Sequence, residues 1–131
     1  MQQRQDWDEA EAAVRILGEL TETHVGILSL TLNAPLGEEA FAGLRIVCVN
    51  EKEMKDEKIA KAFELAKALP NISPVALRLY LSELVAKGLL HDEGIGRLGM
   101  KAMEYFTPTD LTTWFVDWVQ DREIIRQAQG L

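Results

Sequence analysis

The chain has 131 residues, a net charge of −7 and a single cysteine, which fits one domain that folds without a disulfide. The acidic balance disfavours nonspecific attraction to nucleic acid, because phosphate neutralisation drives such binding. Residues 1–50 hold eight acidic and three basic side chains, whereas residues 51–70 hold five of each and residues 71–107 hold four of each. The acidity therefore lies mainly at the N-terminal end, and the middle of the chain is neutral.

No apolar run reaches the about 18 residues that a membrane span needs. The start of the chain, "MQQRQDWDEAEAAVRIL", is polar and acidic, unlike a secretory signal. We therefore expect a cytoplasmic protein. Cys48 lies in the apolar run "RIVCV" and is expected to be a small buried hydrophobic residue.

Residues 6–20 are predicted to form a helix. Asp6 is placed as its N-cap with Glu9 three residues later, as in a capping box, and an apolar stripe follows at helical spacing: Trp7, Ala10, Val14 and Leu17. The segment 23–35 suits a strand or a buried helix, and its helical neighbours favour the helix. Residues 36–50 stay open, since the early glutamates favour a helix and "LRIVCV" equally suits a strand.

The next two segments are predicted to be helices separated by a tight turn. Residues 51–61 are a charge run, expected to be a solvated loop and the first turn of a helix over 56–70 that ends at Pro70. Residues 73–90, "SPVALRLYLSELVAKGLL", place Ser73 as N-cap and Pro74 at the first helical position. The apolar side of this helix is predicted to be Leu77, Tyr80, Leu81, Leu84 and Val85. Gly88 suits a left-handed helix stop.

A hairpin and a last helix are predicted to complete the chain. Short segments around 89–91 and 101–106 flank a glycine-rich tip, which indicates a hairpin. Residues 109–129 are predicted to form a helix capped by Thr109 or Asp110. Its broad apolar face is predicted to be Leu111, Trp114, Phe115, Trp118, Val119 and Ile125.

The stretch "KIAKAFELAKALPNISPVALRLYLSELVAKGLLHDEG" resembles winged-helix transcription regulators, in which "ELAK.L", a turn and a helix running into "L...GLL" follow one another. The order of elements is similar to MarR-type regulators: three helices, a helix-turn-helix, a wing and a last helix. The resemblance covers residues 58–107. It implies a mainly α fold, a winged helix-turn-helix with extra N- and C-terminal helices and a small β-hairpin wing. The expected organisation is one domain, 1–131, with an N-terminal helical region at 1–50, a winged helix-turn-helix core at 56–107 and a C-terminal helix at 109–129.

The resemblance also implies a function, a regulator that binds double-stranded DNA and has no enzymatic activity. The expected nucleic-acid contacts are Ser73, Arg78 and Ser82 on the second helix, Lys87 at its end, and Arg97 and Lys101 on the wing. A homodimer is expected through the terminal helices, with Trp7, Trp114, Phe115 and Trp118 at the interface. The alternative for the three tryptophans is that they complete the chain's own core.

A second function of another class stays open. The outer face of the 73–90 helix carries one arginine and one serine beside Val75 and Leu79, and exposed apolar residues suit a partner protein. The chain would then be an acidic winged-helix adaptor or inhibitor that binds another protein rather than DNA.

Two further patterns point to no separate chemistry. The stretch "GIGRLG" at 94–99 matches the dinucleotide fingerprint letter for letter, but it lacks the surrounding βαβ unit, and a wing tip explains its glycines. His24 and the "HDEG" stretch that begins at His91 have no second ligand cluster at metal spacing. We therefore expect no metal and no cofactor, and the chain is predicted not to be an enzyme.

Overall fold

A computed structural model describes residues 2–38, 41–50, 62–94 and 102–128 of the protein, and for 2–8 and 122–128 it describes the backbone alone. This part of the chain is mainly helical, with one small four-stranded sheet. The helices are α1 (Gln2–Glu19), α2 (Glu22–Leu32), α3 (Leu65–Ala68), α4 (Pro74–Ala86) and α5 (Asp110–Ala128). The strands are β1 (Val47–Cys48), β2 (Phe63–Glu64), β3 (Leu90–Asp92) and β4 (Tyr105–Pro108).

The sheet has the order β2-β1-β4-β3. Strands β1 and β2 are parallel, whereas β4 is antiparallel to both of its neighbours. The β3–β4 register pairs Leu90 with Pro108 and Asp92 with Phe106. This confirms the antiparallel pairing of the predicted hairpin, with its second strand at 105–108 and its glycine-rich tip outside the described residues. Its pairing brings the segment after α4 against the segment before α5, and the sheet thereby ties the two helices together.

The main core lies between helices α2, α4 and α5 and the sheet. Its buried side chains include Ile27 and Leu28 of α2, Leu77, Leu81 and Leu84 of α4, Phe106 of β4, and Phe115 and Val116 of α5. A smaller cluster holds Phe41, Ile46, Cys48 and Tyr105. Cys48 is fully buried there, which confirms its prediction as a small core residue.

Helix α1 starts earlier than predicted. It begins at Gln2, so Asp6 lies inside the helix and the N-cap prediction is wrong. The early start follows from composition, because glutamine and arginine are good helix formers. The predicted apolar stripe is also turned away from the core: Ala13 is fully buried, whereas Val14 is 58% exposed and Leu17 is 39% exposed.

The ambiguous segment 23–50 is part helix and part strand. Helix α2 confirms the helical prediction for 23–35, and Thr21 caps it by accepting a hydrogen bond from the backbone N–H of His24. Beyond it, Leu36 bridges Arg45 and β1 follows, so the helical alternative for 36–50 is wrong and the strand alternative is right at 47–48. The described part of 1–50 therefore holds two helices and a strand, where the MarR-type order predicts three helices.

In the described residues 62–70, a strand and a single helical turn replace the helix predicted over 56–70. Residues 51–61 lie outside the described part of the chain. Phe63 pairs with Val47 in the parallel ladder, its N–H donates to the carbonyl of Ile46, and the N–H of Ala66 donates to the carbonyl of Val49. These bonds hold the backbone against β1, so the described helix is the single turn α3. Sequence periodicity did not reveal this pairing.

Helix α5 confirms the predicted last helix with two local differences. The helix begins at Asp110, and the N–H of Thr109 donates to the hydroxyl of Thr112 over 3.0 Å, so Thr109 and not Asp110 is the capping position. Leu111, predicted on the apolar face, is 49% exposed, while Thr112 and Val116 are buried. The hydroxyl of Thr112 donates to the carbonyl of Leu89, and this bond turns Thr112 inward.

Candidate functional site

Helix α4 is the best-defined element of the candidate site. The hydroxyl oxygen of Ser73 accepts a hydrogen bond from the N–H of Ala76 at 3.2 Å, and Pro74 occupies the first turn. Gly88 then leaves the helix with a φ of 76°, which glycine adopts without strain. Both ends of the helix are as predicted, and its orientation is fixed by the buried leucines on its inner side.

The outer side of α4 carries apolar side chains that are open to solvent, beside the exposed Ser82 and Glu83. Val75 is 66% exposed and Leu79 is 62% exposed, and Ala86 is exposed further along the same side. Spacings of four and seven residues place all three side chains in one stripe of the helix. We call Val75, Leu79 and Ala86 the α4 stripe. Because Val75 and Leu79 are adjacent on one helix face, they make the stripe a candidate binding surface.

Four predicted nucleic-acid contacts lie on or beside this helix. Ser73 and Ser82 are exposed, and Arg78 is half-buried and has an interaction partner within the chain. The ammonium of Lys87 lies 2.5 Å from a carboxylate oxygen of Glu19. The hydrogen bond and the charge of Lys87 together hold the pKa of Glu19 below its ordinary value of 4.5. Lys87 is thus bound to an acid of α1 in this structure.

The other two predicted contacts, Arg97 and Lys101, lie outside the described residues, and their place on the wing stays a prediction. The base of the hairpin is described. One carboxylate oxygen of Asp92 accepts the N–H of Gly94 at 2.9 Å, and the other accepts the N–H of Met103 at 2.8 Å. The side chain of Asp92 is therefore a clamp across the two ends of the 93–103 connection.

Acidic groups border the α4 stripe on the side of α1 and α2. Glu83 is one helical turn beyond Leu79, and its side chain is 53% exposed. Glu19, 53% exposed, contacts Lys87 at the end of α4. Glu22 is exposed in the first turn of α2. The contacts of Glu83 and Glu19 place two carboxylates and the one ammonium of Lys87 on this side, so these three groups together are net negative.

The described basic side chains all have partners. Arg15 lies 3.7 Å from Glu11, Lys67 lies 2.5 Å from Glu64, and Arg45 donates to the carbonyl of Ala34 at 2.5 Å. Together with Arg78 and Lys87, these are the basic side chains of the described part of the chain. These five side chains do not form a continuous positive strip along α4.

A buried histidine of α2 contacts the acidic side of α4. His24 is 2% exposed, and its Nδ1 accepts the N–H of Thr21 at 3.0 Å. Its Nε2 lies 3.4 Å from a carboxylate oxygen of Glu83, and its ring meets the ring of Tyr80 edge-on at 4.7 Å. The sequence offered one signal for this role, namely a threonine three residues before the histidine at the start of a helix.

The aromatic residues predicted at a dimer interface are placed differently from one another. Phe115 is fully buried in the chain's own core, so its prediction as an interface residue is wrong. Trp114 is half-buried against that same core, and Trp118 is half-buried too. The side chain of Trp7 lies outside the described part. The alternative, that the tryptophans complete the core, holds in part for Trp114.

The remaining patterns add no second site. Within the described residues, no group of three or more histidine, cysteine, aspartate or glutamate side chains is arranged to hold a metal ion. The "GIGRLG" stretch lies almost entirely outside those residues. No described helix is long and apolar enough to cross a membrane. The chain matches no protein-family model, no curated protein and no solved structure.

Proposed function

We propose that the chain is a non-enzymatic adaptor or inhibitor of winged-helix type that binds another protein through the α4 stripe. The winged-helix assignment rests on the order of the elements: β1, then the α3–turn–α4 pair, then the β3–β4 hairpin, with β4 between β1 and β3. In this arrangement α4 takes the position of the recognition helix. Fold alone does not decide what that helix recognises.

The observation that carries the proposal is the chemistry of the α4 stripe. A helix that reads a major groove needs arginine, lysine, asparagine or glutamine on its outer side, whereas Val75 and Leu79 offer more than half of their surfaces as apolar area. Covering a Val or Leu side chain completely gains about 1.5–3 kcal/mol. Covering the exposed parts of both side chains therefore supplies about 2–4 kcal/mol toward binding.

The charges beside the stripe support the same choice. DNA binding gains its salt-dependent affinity from cations that neutralise phosphates. Glu83 lies one turn beyond Leu79 on α4, and Lys87, the next cation along the helix, is paired with Glu19. A duplex seated on α4 would bring phosphates toward these carboxylates. A partner protein does not carry the uniform negative charge of DNA, so its surface can present basic or neutral groups to these carboxylates.

The test compares two leucines of similar exposure. Helical peptides displayed on phage are selected on the wild-type protein and then measured against Leu79→Asp and Leu36→Asp. Leu36 is 55% exposed on the connection between α2 and β1, so it is the matched control. We expect peptides whose affinity falls at least about tenfold in Leu79→Asp, since the change removes apolar area and adds a charge beside Glu83. Leu36→Asp should leave affinity unchanged. Peptides that bind Leu79→Asp and the wild type equally would refute the proposal.

DNA binding remains the second candidate, and one observation favours it. The exposed N-terminal end of α4, with Ser73 as its cap, belongs to the same unit as the hairpin whose loop carries Arg97 and Lys101. The decisive measurement is a mobility shift on duplex DNA at low salt. DNA binding predicts a shift that weakens steeply as salt rises and is lost in the Arg78→Ala, Arg97→Ala double variant. The absence of a shift at low salt excludes this candidate.

A further inference from the structure

We infer that the partner segment is an amphipathic helix with a basic edge, which lies along α4 and directs that edge over the α1–α2 turn. This inference rests on the proposed docking role of the α4 stripe, and it adds the secondary structure, the charge and the orientation of the partner. Three features of the described surface carry it: its shape, its charge and the contacts that its acidic groups make.

The first feature is the form of the surface. The α4 stripe lies on a single convex helix whose outer residues repeat at four and seven positions. The backbone N–H and C=O groups of α4 are bonded within the helix, so an added strand has no edge to pair with. A second helix can pack its side-chain ridges into the grooves beside Val75 and Leu79. A helical partner therefore fits this surface.

The second feature is the uneven charge on the two sides of the stripe. On the side of α1 and α2 lie Glu83, Glu19 and Glu22, with Lys87 already paired to Glu19. On the other side lies Arg78. A partner that covers the stripe brings its own flanking residues against these groups. Lysine or arginine matches the acidic side, whereas glutamate there would meet like charges.

The third feature is the set of contacts that the acidic groups make. His24 is buried between α2 and α4, is fixed by the N–H of Thr21, and faces Glu83 and Tyr80. The Lys87–Glu19 pair joins the ends of α1 and α4. Glu19 and Glu83 thus already contact groups of the chain itself before a partner binds, which lowers the cost of ordering these two carboxylates on binding.

Three synthetic helices of about 18 residues, or five helical turns, provide the test. They share one leucine stripe and carry lysine, glutamine or glutamate along one edge. Binding to the full chain is measured by fluorescence anisotropy. We expect the lysine-edged helix to bind at least about tenfold more tightly than the glutamate-edged one, with the difference shrinking as salt rises. Leu79→Asp should weaken all three.

Charge-reversal variants locate the effect. Glu83→Lys should remove or reverse the preference for the lysine edge, and Asp117→Lys, at an exposed position of α5, is the matched control that should leave it unchanged. If Glu83→Lys fails to fold, Glu22→Lys, at an exposed position of α2, provides a charge reversal that leaves the Glu83 carboxylate beside His24 in place.

The outcomes separate the two claims. Equal binding of all three helices, lost in Leu79→Asp, would overturn the charge inference and leave the docking role standing. No binding, or binding that Leu79→Asp does not change, would overturn both. Sedimentation that shows a wild-type dimer, with Leu79→Asp a monomer, would assign the stripe to a second copy of the chain and overturn the inference.

Discussion

Two leucines on opposite sides of α4 allow its orientation to be measured through stability. Leu81 is fully buried and Leu79 is 62% exposed. Replacing a fully buried leucine by alanine costs about 3–5 kcal/mol, because apolar contacts are lost and a cavity remains. The same change removes three carbons at Leu79, worth about 2.4 kcal/mol if fully buried at about 0.8 each. With about a third of the side chain covered, the expected loss is about 1 kcal/mol.

Urea unfolding followed by circular dichroism measures both variants against the wild type. The slope with denaturant should stay constant, so the shift in midpoint reports the change in free energy of unfolding. In thermal melts, each loss of 1 kcal/mol in the free energy of unfolding lowers the Tm by about 4 °C. We therefore expect Leu81→Ala to lower the Tm by about 12–20 °C and Leu79→Ala to lower it by about 4 °C. Equal losses at the two positions would refute the orientation of α4, and with it the apolar stripe on which the proposed function depends.

Three further predictions concern the polar contacts around this helix. Asp92→Asn should lower the free energy of unfolding by about 1–3 kcal/mol in urea denaturation, since an amide has one oxygen for the two backbone N–H groups that the carboxylate now accepts; an unchanged midpoint would contradict the clamp. Thr112→Val should cost about 1–3 kcal/mol, because the carbonyl of Leu89 loses its donor, whereas Thr112→Ser should restore most of the stability. Lys87 lowers the pKa of Glu19 in the folded protein, so their pair stabilises the fold above about pH 4.5 and this contribution disappears as the pH falls through the lowered pKa. Thermal melts across this range should show Glu19→Gln less stable than the wild type at neutral pH and equal to it in acid, and a constant difference would contradict the pairing.

Helix α4 could be predicted from sequence because its signals are local. Ser73, Pro74 and Gly88 mark its ends through backbone chemistry that acts within a few residues, and Leu77, Leu81 and Leu84 set its inner face by period alone. The outer face follows by elimination, so the exposed positions of Val75 and Leu79 were predicted as well.

Contacts between residues far apart in the sequence could not be predicted from such local signals. Phe63 lies in a segment with helical periodicity, but it pairs with Val47 in the sheet. No local pattern shows that its partner strand lies sixteen residues earlier in the sequence. The pairing of Lys87 with Glu19 was missed for the same reason, since 68 residues separate the two. That contact pairs Lys87 with a carboxylate, and its role as a phosphate contact stays a prediction.

Amide-resolved NMR of the full chain, titrated with a peptide selected on the wild-type protein, tests whether the α4 stripe binds a protein partner. We expect chemical-shift changes concentrated at Val75, Leu79 and Ala86 and along the turn at Glu22, with little response to duplex DNA. Changes confined to other surfaces, or a response of the same α4 residues to duplex DNA and to no peptide, would contradict this binding role of the stripe.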